Sequence, residues 1–145
     1  MKKVLIAYYS RTGNTKAMAE YMAEGVRISG HEADVKDIDE IKNGKDLIAY
    51  DAYIFGCPTY HRDITSNMKT FLFLAQNAGL QGKEGGAFGS YTHSGDSAGI
   101  IFDTMEFVYK MKMVNLGPFM LKEELVGTTE GLRACQQYGK AVAEL

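Results

Sequence analysis

The stretch YYSRTGNT at residues 8–15 follows directly on KKVLIA at 2–7. An apolar run passes here into a loop of hydroxyls, one glycine and one amide, with no cysteine and no carboxylate. KVLIAYY at 3–9 has the continuous apolar character of a strand buried on both faces. Over 14–28 the period changes. Met18, Tyr21, Met22, Gly25 and Val26 recur every three to four positions, on one helical face, and Gly30 marks a stop. SRTGNT at 10–15 is thus a strand-to-helix turn. The N–H groups of a helix's first turn lack partners inside the helix, and the helix dipole places partial positive charge there. A phosphate can accept those N–H bonds together with hydroxyls from Ser10, Thr12 and Thr15 and the amide of Asn14, while Gly13 lets the backbone turn tightly. A plain turn capped by Asn14 or Thr15 is the simpler alternative, but four hydrogen-bonding side chains in six residues exceed what one cap needs.

Outward from that loop the same punctuation repeats. EADVKDI at 32–38 reads as a short edge strand, interrupted by Asp34, Lys36 and Asp37. DAYIFGCPTY at 51–60 is a second strong strand ending in a Cys-Pro bend, and NMKTFLFLAQNAG at 67–79 is a helix with Met68, Phe71, Leu72 and Ala75 inward. GGAFGSY at 85–91 is a glycine-thinned strand, a pattern that marks close approach to its backbone. GIIFDTMEFVYKMKM at 99–113 is an amphipathic helix, VNLGPFMLKEEL at 114–125 a last strand kinked at Gly117-Pro118, and TTEGLRACQQYGKAVAEL at 128–145 a helix opened by hydroxyl caps. This alternation predicts an α/β, doubly wound three-layer sandwich whose five-stranded parallel sheet has the order 2-1-3-4-5. Such sheets take ligands beyond the carboxyl ends of the strands where the winding reverses, here between strands 1 and 3. Three loops then matter: 10–15, 58–66 and 90–98.

The remaining numbers narrow the function. A length of 145 residues suits one domain over 1–145, and a net charge of −2 argues against nucleic acid or an anionic membrane as partner. No window approaches the run of about 18 apolar residues that a membrane span needs. Tyr8, Tyr9, Ser10 and Arg11 stand where a signal peptide would carry its small-residue cleavage site. Cys57 and Cys135 form no disulfide framework or metal spacing and read as core, so a reducing cytoplasm is the expected compartment. Gly13 precedes Asn14 rather than the Lys-Ser/Thr of a nucleotide-triphosphate loop. Cys57 has Asp63 where a cysteine phosphatase needs arginine, and tyrosines follow strand 1 where a phospho-receiver needs carboxylates.

Ser10-Arg11-Thr12-Gly13-Asn14-Thr15 resembles the (Ser/Thr)-x-Thr-Gly-x-Thr loop with which short-chain flavodoxins hold the phosphate of FMN. GCPTY at 56–60, FGSYTHSGDS at 88–97 and LRACQQYGKAVAE at 132–144 are similar to further landmarks of that flavodoxin-like family, and the resemblance spans essentially the whole chain. It implies FMN as cofactor and a non-catalytic, low-potential electron carrier between soluble redox proteins, expected as a monomer; His61, His93, Asp63 and Asp96 offer no close ligand pair, so no metal is expected. The alternative is a small FMN-dependent NAD(P)H:quinone or flavin reductase. The cofactor-binding positions implied are Ser10, Arg11, Thr12, Gly13, Asn14, Thr15, Pro58, Thr59, Tyr60, His61, Ser90, Tyr91, His93 and Gly95. Tyr60 would stack on the ring, with Thr59 near the phosphate or the ribityl chain.

Two departures from the family stand out. Many flavodoxins have glycine where His61 follows the stacking aromatic, and a peptide flip there stabilises the one-electron-reduced flavin. A non-glycine residue opposes positive φ by about 1–2 kcal/mol, so that state is expected to be less stabilised here. In the third loop His93 takes the place of the usual outer-face aromatic, with Tyr91 as second choice, a pattern closer to the flavodoxin modules of diiron flavoproteins. Arg11, His61, Arg62 and His93 accompany only Asp63 and Asp96 in the three loops. That balance predicts a second one-electron potential less negative than in strongly acidic relatives.

Overall fold

The computed structural model describes residues 1–145. Strand β1 (Lys3–Tyr8) leads to helix α1 (Asn14–Ile28), then β2 (Glu32–Asp37), β3 (Ala52–Gly56), α2 (Ser66–Gln76), β4 (Glu84–Tyr91) and α3 (Asp96–Asp103). Two short strands follow, β5 (Lys112–Met113) and β6 (Phe119–Lys122), then the single helical turn α4 (Glu123–Val126) and the closing helix α5 (Thr129–Ala143). All pairings are parallel, in the order β2-β1-β3-β4-β5, with β6 also on β4. The expected doubly wound sheet of order 2-1-3-4-5 is therefore present, its fifth position shared by two strand segments. From β1 the chain winds one way to β2, and from β3 the other way to β4 and β5. Right-handed crossovers accordingly put α1 on one face and α2 and α3 on the other. No helix is long and apolar enough to cross a membrane.

The central strands β1 and β3 are buried nearly throughout, as their apolar runs require. Helix α1 buries Met18, Met22 and Val26, and α5 buries Cys135, Tyr138 and Val142. These two helices pack together so closely that a Cβ on Gly139 would lie 2.2 Å from the Met22 carbonyl oxygen. Met68, Phe71 and Leu72 of α2 and Ile101 of α3 fill the other side.

The C-terminal third departs from the sequence pattern. The expected helix 99–113 begins earlier, at Asp96, and widens over Thr104–Val108 into a π turn in which the Tyr109 N–H reaches the Thr104 carbonyl at 3.1 Å. A left-handed Lys110 (φ 59°) ends it, so Lys112–Met113 already pair with β4. Within the expected strand 114–125 only Phe119–Lys122 is extended, because Gly117 (φ 76°) turns the chain away between the two segments. That break removes a ladder partner from the middle of β4. The Tyr138 hydroxyl replaces it, accepting the Ala87 N–H at 3.1 Å and donating to the Gly117 carbonyl at 2.7 Å. Gly86 leaves room for this phenol, since a Cβ there would sit 2.9 Å from its oxygen. The glycine-thinned strand is thus approached by side chains of the protein itself. Tyr138→Phe would leave the Ala87 N–H buried without an acceptor, a loss of about 1–3 kcal/mol. Urea unfolding should show a lower midpoint with an unchanged slope; an unmoved midpoint would mean that the break needs no such repair.

Candidate functional site

Strand β1 delivers the chain to the carboxyl edge of the sheet, and the loop before α1 is shaped by Gly13, left-handed at φ 98° and the N-cap of α1. No side chain caps this helix, and its first turn holds no acidic residue. The simpler reading of Asn14 or Thr15 as caps does not hold: the Asn14 amide bonds Thr12 Oγ1 at 3.3 Å, and Thr15 Oγ1 lies 2.8 Å from Ser90 Oγ. Ser10 Oγ accepts the Gly13 N–H at 3.0 Å, while the N–H groups of Thr12, Asn14 and Thr15 have no acceptor within the chain. A fifteen-residue helix with free amides, no cap and no competing carboxylate fits an anion at its start. The residues present therefore suit the phosphate of FMN, without any lysine.

The second loop leaves β3 through Pro58, which is buried, and Thr59, whose N–H donates to the Ser90 carbonyl at 3.1 Å. Tyr60 and Asp63 then exchange both backbone bonds at 3.0 Å, closing a two-residue turn with His61 at φ 51° and Arg62 at φ 61°. Left-handed backbone at both central positions is the type I′ turn, normally made by Asn-Gly. His61 and Arg62 each hold it against about 1–2 kcal/mol. Asp63 braces the turn, with its carboxylate 2.7 Å from Lys69 Nζ and 2.7 Å from the Ile64 N–H. The Lys69 bond, then the Ile64 amide, hold that carboxyl below its ordinary range.

Where the third loop approaches, a cleft of about 610 Å³ opens, lined by Arg11, Thr59, Tyr60, His61, Arg62, Thr92, His93 and Ser94. The three loops are thus brought together. The Arg11 guanidinium lies 5.9 Å from the Tyr60 ring centroid, and no carboxylate lines the cleft. Asp96 instead accepts from Ser94 Oγ at 2.9 Å. Several expected positions lie elsewhere. Ser90 is only 1% exposed and ties β4 to Thr15 from below. Tyr91 lines a separate hollow of about 250 Å³ with Thr92, Lys122, Glu123 and Glu124, so of the two candidates for the outer ring face only His93 borders the cleft. Gly95 abuts Met120, whose sulfur would stand 2.7 Å from a Cβ. Cys57 is buried beneath the site, and burial pushes its thiol up to about 11, which leaves it unreactive near neutral pH.

Ser97 is the residue that the sequence reading missed. It is fully buried at the start of α3, donates to the Cys57 carbonyl at 3.0 Å, and exchanges bonds with Thr59. Its only trace in the sequence is Gly89, where a Cβ would fall 2.3 Å from Ser97 Oγ.

Comparison with known proteins agrees with this geometry. A family model for flavodoxins matches residues 6–138. An NAD(P)H dehydrogenase (quinone) of Gluconacetobacter diazotrophicus is 35% identical, over 81% of this chain and 71% of the relative. The protein of the same name from Cupriavidus metallidurans is 33% identical, over 88% of this chain and 79% of its own length. Among solved structures, a flavodoxin from the domain Archaea superposes with a TM-score of 0.87 at 28% identity, covering 98% of this chain and 96% of that one. The expectation that the chain is not an enzyme is overturned: four curated relatives 32–35% identical to it bear the name of an enzyme. The uncapped loop suited to a phosphate, the cleft beside it and these matches together make the chain an FMN-binding member of the flavodoxin family.

Proposed function

We propose that this chain, as one domain over 1–145, is an FMN-dependent oxidoreductase that passes electrons from NAD(P)H to a quinone. FMN supplies the ability to take up one or two electrons. The observation that carries the reading is the open cleft at the switch point, bordered by an aromatic, hydroxyls and four cationic or imidazole side chains with no lining carboxylate. Its support in sequence is the name shared by the quinone dehydrogenases above.

In this reading Ser10, Thr12, Gly13, Asn14 and Thr15 hold the phosphate, Tyr60 stacks on one side of the ring, and His93 borders the other. Arg11, His61, Arg62 and His93 favour negative charge in the cleft, which keeps the reduced cofactor from being strongly destabilised. Pro58, Ser90 and Gly95 act by shaping the loops. A second reading, exchange of electrons with soluble redox proteins, is favoured by the match to the archaeal flavodoxin over nearly the full length of both chains. Steady-state NAD(P)H oxidation with quinone, run beside reduction by a flavodoxin reductase, separates them. Quinone-dependent turnover well above that of free FMN is expected; turnover only with the reductase would replace the first reading by the second.

The Tyr60–Asp63 turn yields a sharper test. Flipping the His61–Arg62 peptide converts type I′ into type II′, whose first central position is a glycine conformation. His61 opposes that flip. In His61→Gly the share of one-electron-reduced flavin at the midpoint of a redox titration should rise at least about threefold, the equivalent of under 1 kcal/mol of relieved strain. An unchanged share would show that this turn does not control the flavin's one-electron step.

A further inference from the structure

We propose that Ser97 fixes the polarity of the Thr59 hydroxyl, so that the cleft presents a hydrogen-bond acceptor there and selects a cofactor carrying an alcohol donor, the polyol chain of FMN. The inference rests on the FMN assignment and follows from counting protons. A carbonyl can only accept, so the Ser97 hydroxyl spends its single proton on the Cys57 oxygen at 3.0 Å. The 2.8 Å contact between Thr59 Oγ1 and Ser97 Oγ must then use the Thr59 proton. One Thr59 lone pair is occupied by the Ser97 N–H at 3.1 Å. Thr59 is left with one free lone pair and no proton.

Thr59 lines the cleft, whereas Ser97 is fully buried, so the ligand meets only the outcome of this arrangement. Little slack is available for the hydroxyls to reorient. Gly89 brings β4 so close that a Cβ there would stand 2.3 Å from Ser97 Oγ and 2.9 Å from the Cys57 oxygen, and the Thr59 N–H is pinned to the Ser90 carbonyl at 3.1 Å. A phosphate oxygen, which carries only lone pairs, would be repelled by Thr59 Oγ1; an alcohol O–H would be matched. The phosphate is thereby confined to the loop of Ser10–Thr15, and the earlier expectation that Thr59 serves either phosphate or ribityl chain narrows to the second. Ser97 is a positioning residue, acting on the ligand through Thr59.

The test compares two flavins that differ in the polyol, riboflavin and lumiflavin, by fluorescence titration of the full chain freed of cofactor. Thr59→Val should lower the riboflavin-to-lumiflavin affinity ratio about fivefold, the worth of one net hydrogen bond, and Ser97→Ala, which frees the Thr59 proton and leaves its hydroxyl no longer fixed as an acceptor, about twofold, while lumiflavin affinity moves less than that in either. Thr59→Ser, which keeps the hydroxyl, should retain the native ratio. Equal weakening of both flavins in Ser97→Ala would mark a merely structural role and overturn the proposal, as would an unchanged ratio in Thr59→Val. Where circular dichroism shows Ser97→Ala unfolded, the Thr59→Val and Thr59→Ser pair decides. Failure of the native chain to bind riboflavin 5′-phosphate would overturn the FMN assignment along with this inference; binding with a flat ratio would overturn this inference alone.

Discussion

A helix that begins without a cap is the constraint on which this molecule turns. Helix α1 starts at the carboxyl edge of the sheet with free amides, no carboxylate in its first turn and no side-chain cap. An uncapped helix start of this kind ordinarily costs about 1 kcal/mol, and natural sequences supply Ser, Thr, Asp or Asn to avoid it. Those residue types are present in SRTGNT, yet the structure spends them otherwise: Ser10 on Gly13, Asn14 on Thr12, Thr15 on Ser90. The amides are left for an anion. Because β1 lies inside the sheet, between β2 and β3, the proposed anion site is anchored to a deeply buried strand.

Everything else at that edge serves to hold three loops in register with this start. Thr15 meets Ser90, the Thr59 N–H meets the Ser90 carbonyl, and Ser97 meets both Thr59 and Cys57. These bonds join the phosphate loop, the Tyr60 turn and the head of α3 through neutral hydroxyls and main chain. Charge is kept to the rim, where Asp63 is occupied by Lys69 and Asp96 by Ser94, so that Arg11 and Arg62 border the cleft without a lining acid. The result is a neutral cradle beneath a cationic mouth. Such a mouth suits a redox centre that gains negative charge on reduction, and it distinguishes this chain from acid-rimmed electron carriers.

Much of this was legible before the structure. Continuous apolar runs identify β1 and β3, and the change of period after residue 14 identifies α1, because burial on both faces and burial on one face leave different patterns. The loop proposed for the phosphate could be singled out because its donors are local, gathered in six consecutive residues. His61 could be flagged for the same reason. Ser97 could not, since its partners Cys57 and Thr59 are remote in sequence and meet it only when β3 and α3 converge. The roles of Ser90 and Tyr91 were likewise invisible, because alternation in a strand decides which faces the cofactor and which the interior, and a loop of uncertain register hides that parity. Gly117 misled most: its turn splits the fifth strand, and the Tyr138 hydroxyl that repairs the break lies on another element.

The claim that a neutral loop grips a phosphate is tested most directly by isothermal titration of the cofactor-free chain with riboflavin 5′-phosphate and, separately, with riboflavin. The phosphate should account for at least about a hundredfold in affinity, or about 2.7 kcal/mol, carried by several charge-assisted hydrogen bonds from amides and hydroxyls. Equal affinity for the two flavins would contradict it, for the free amides of α1 would then have no part in holding the cofactor.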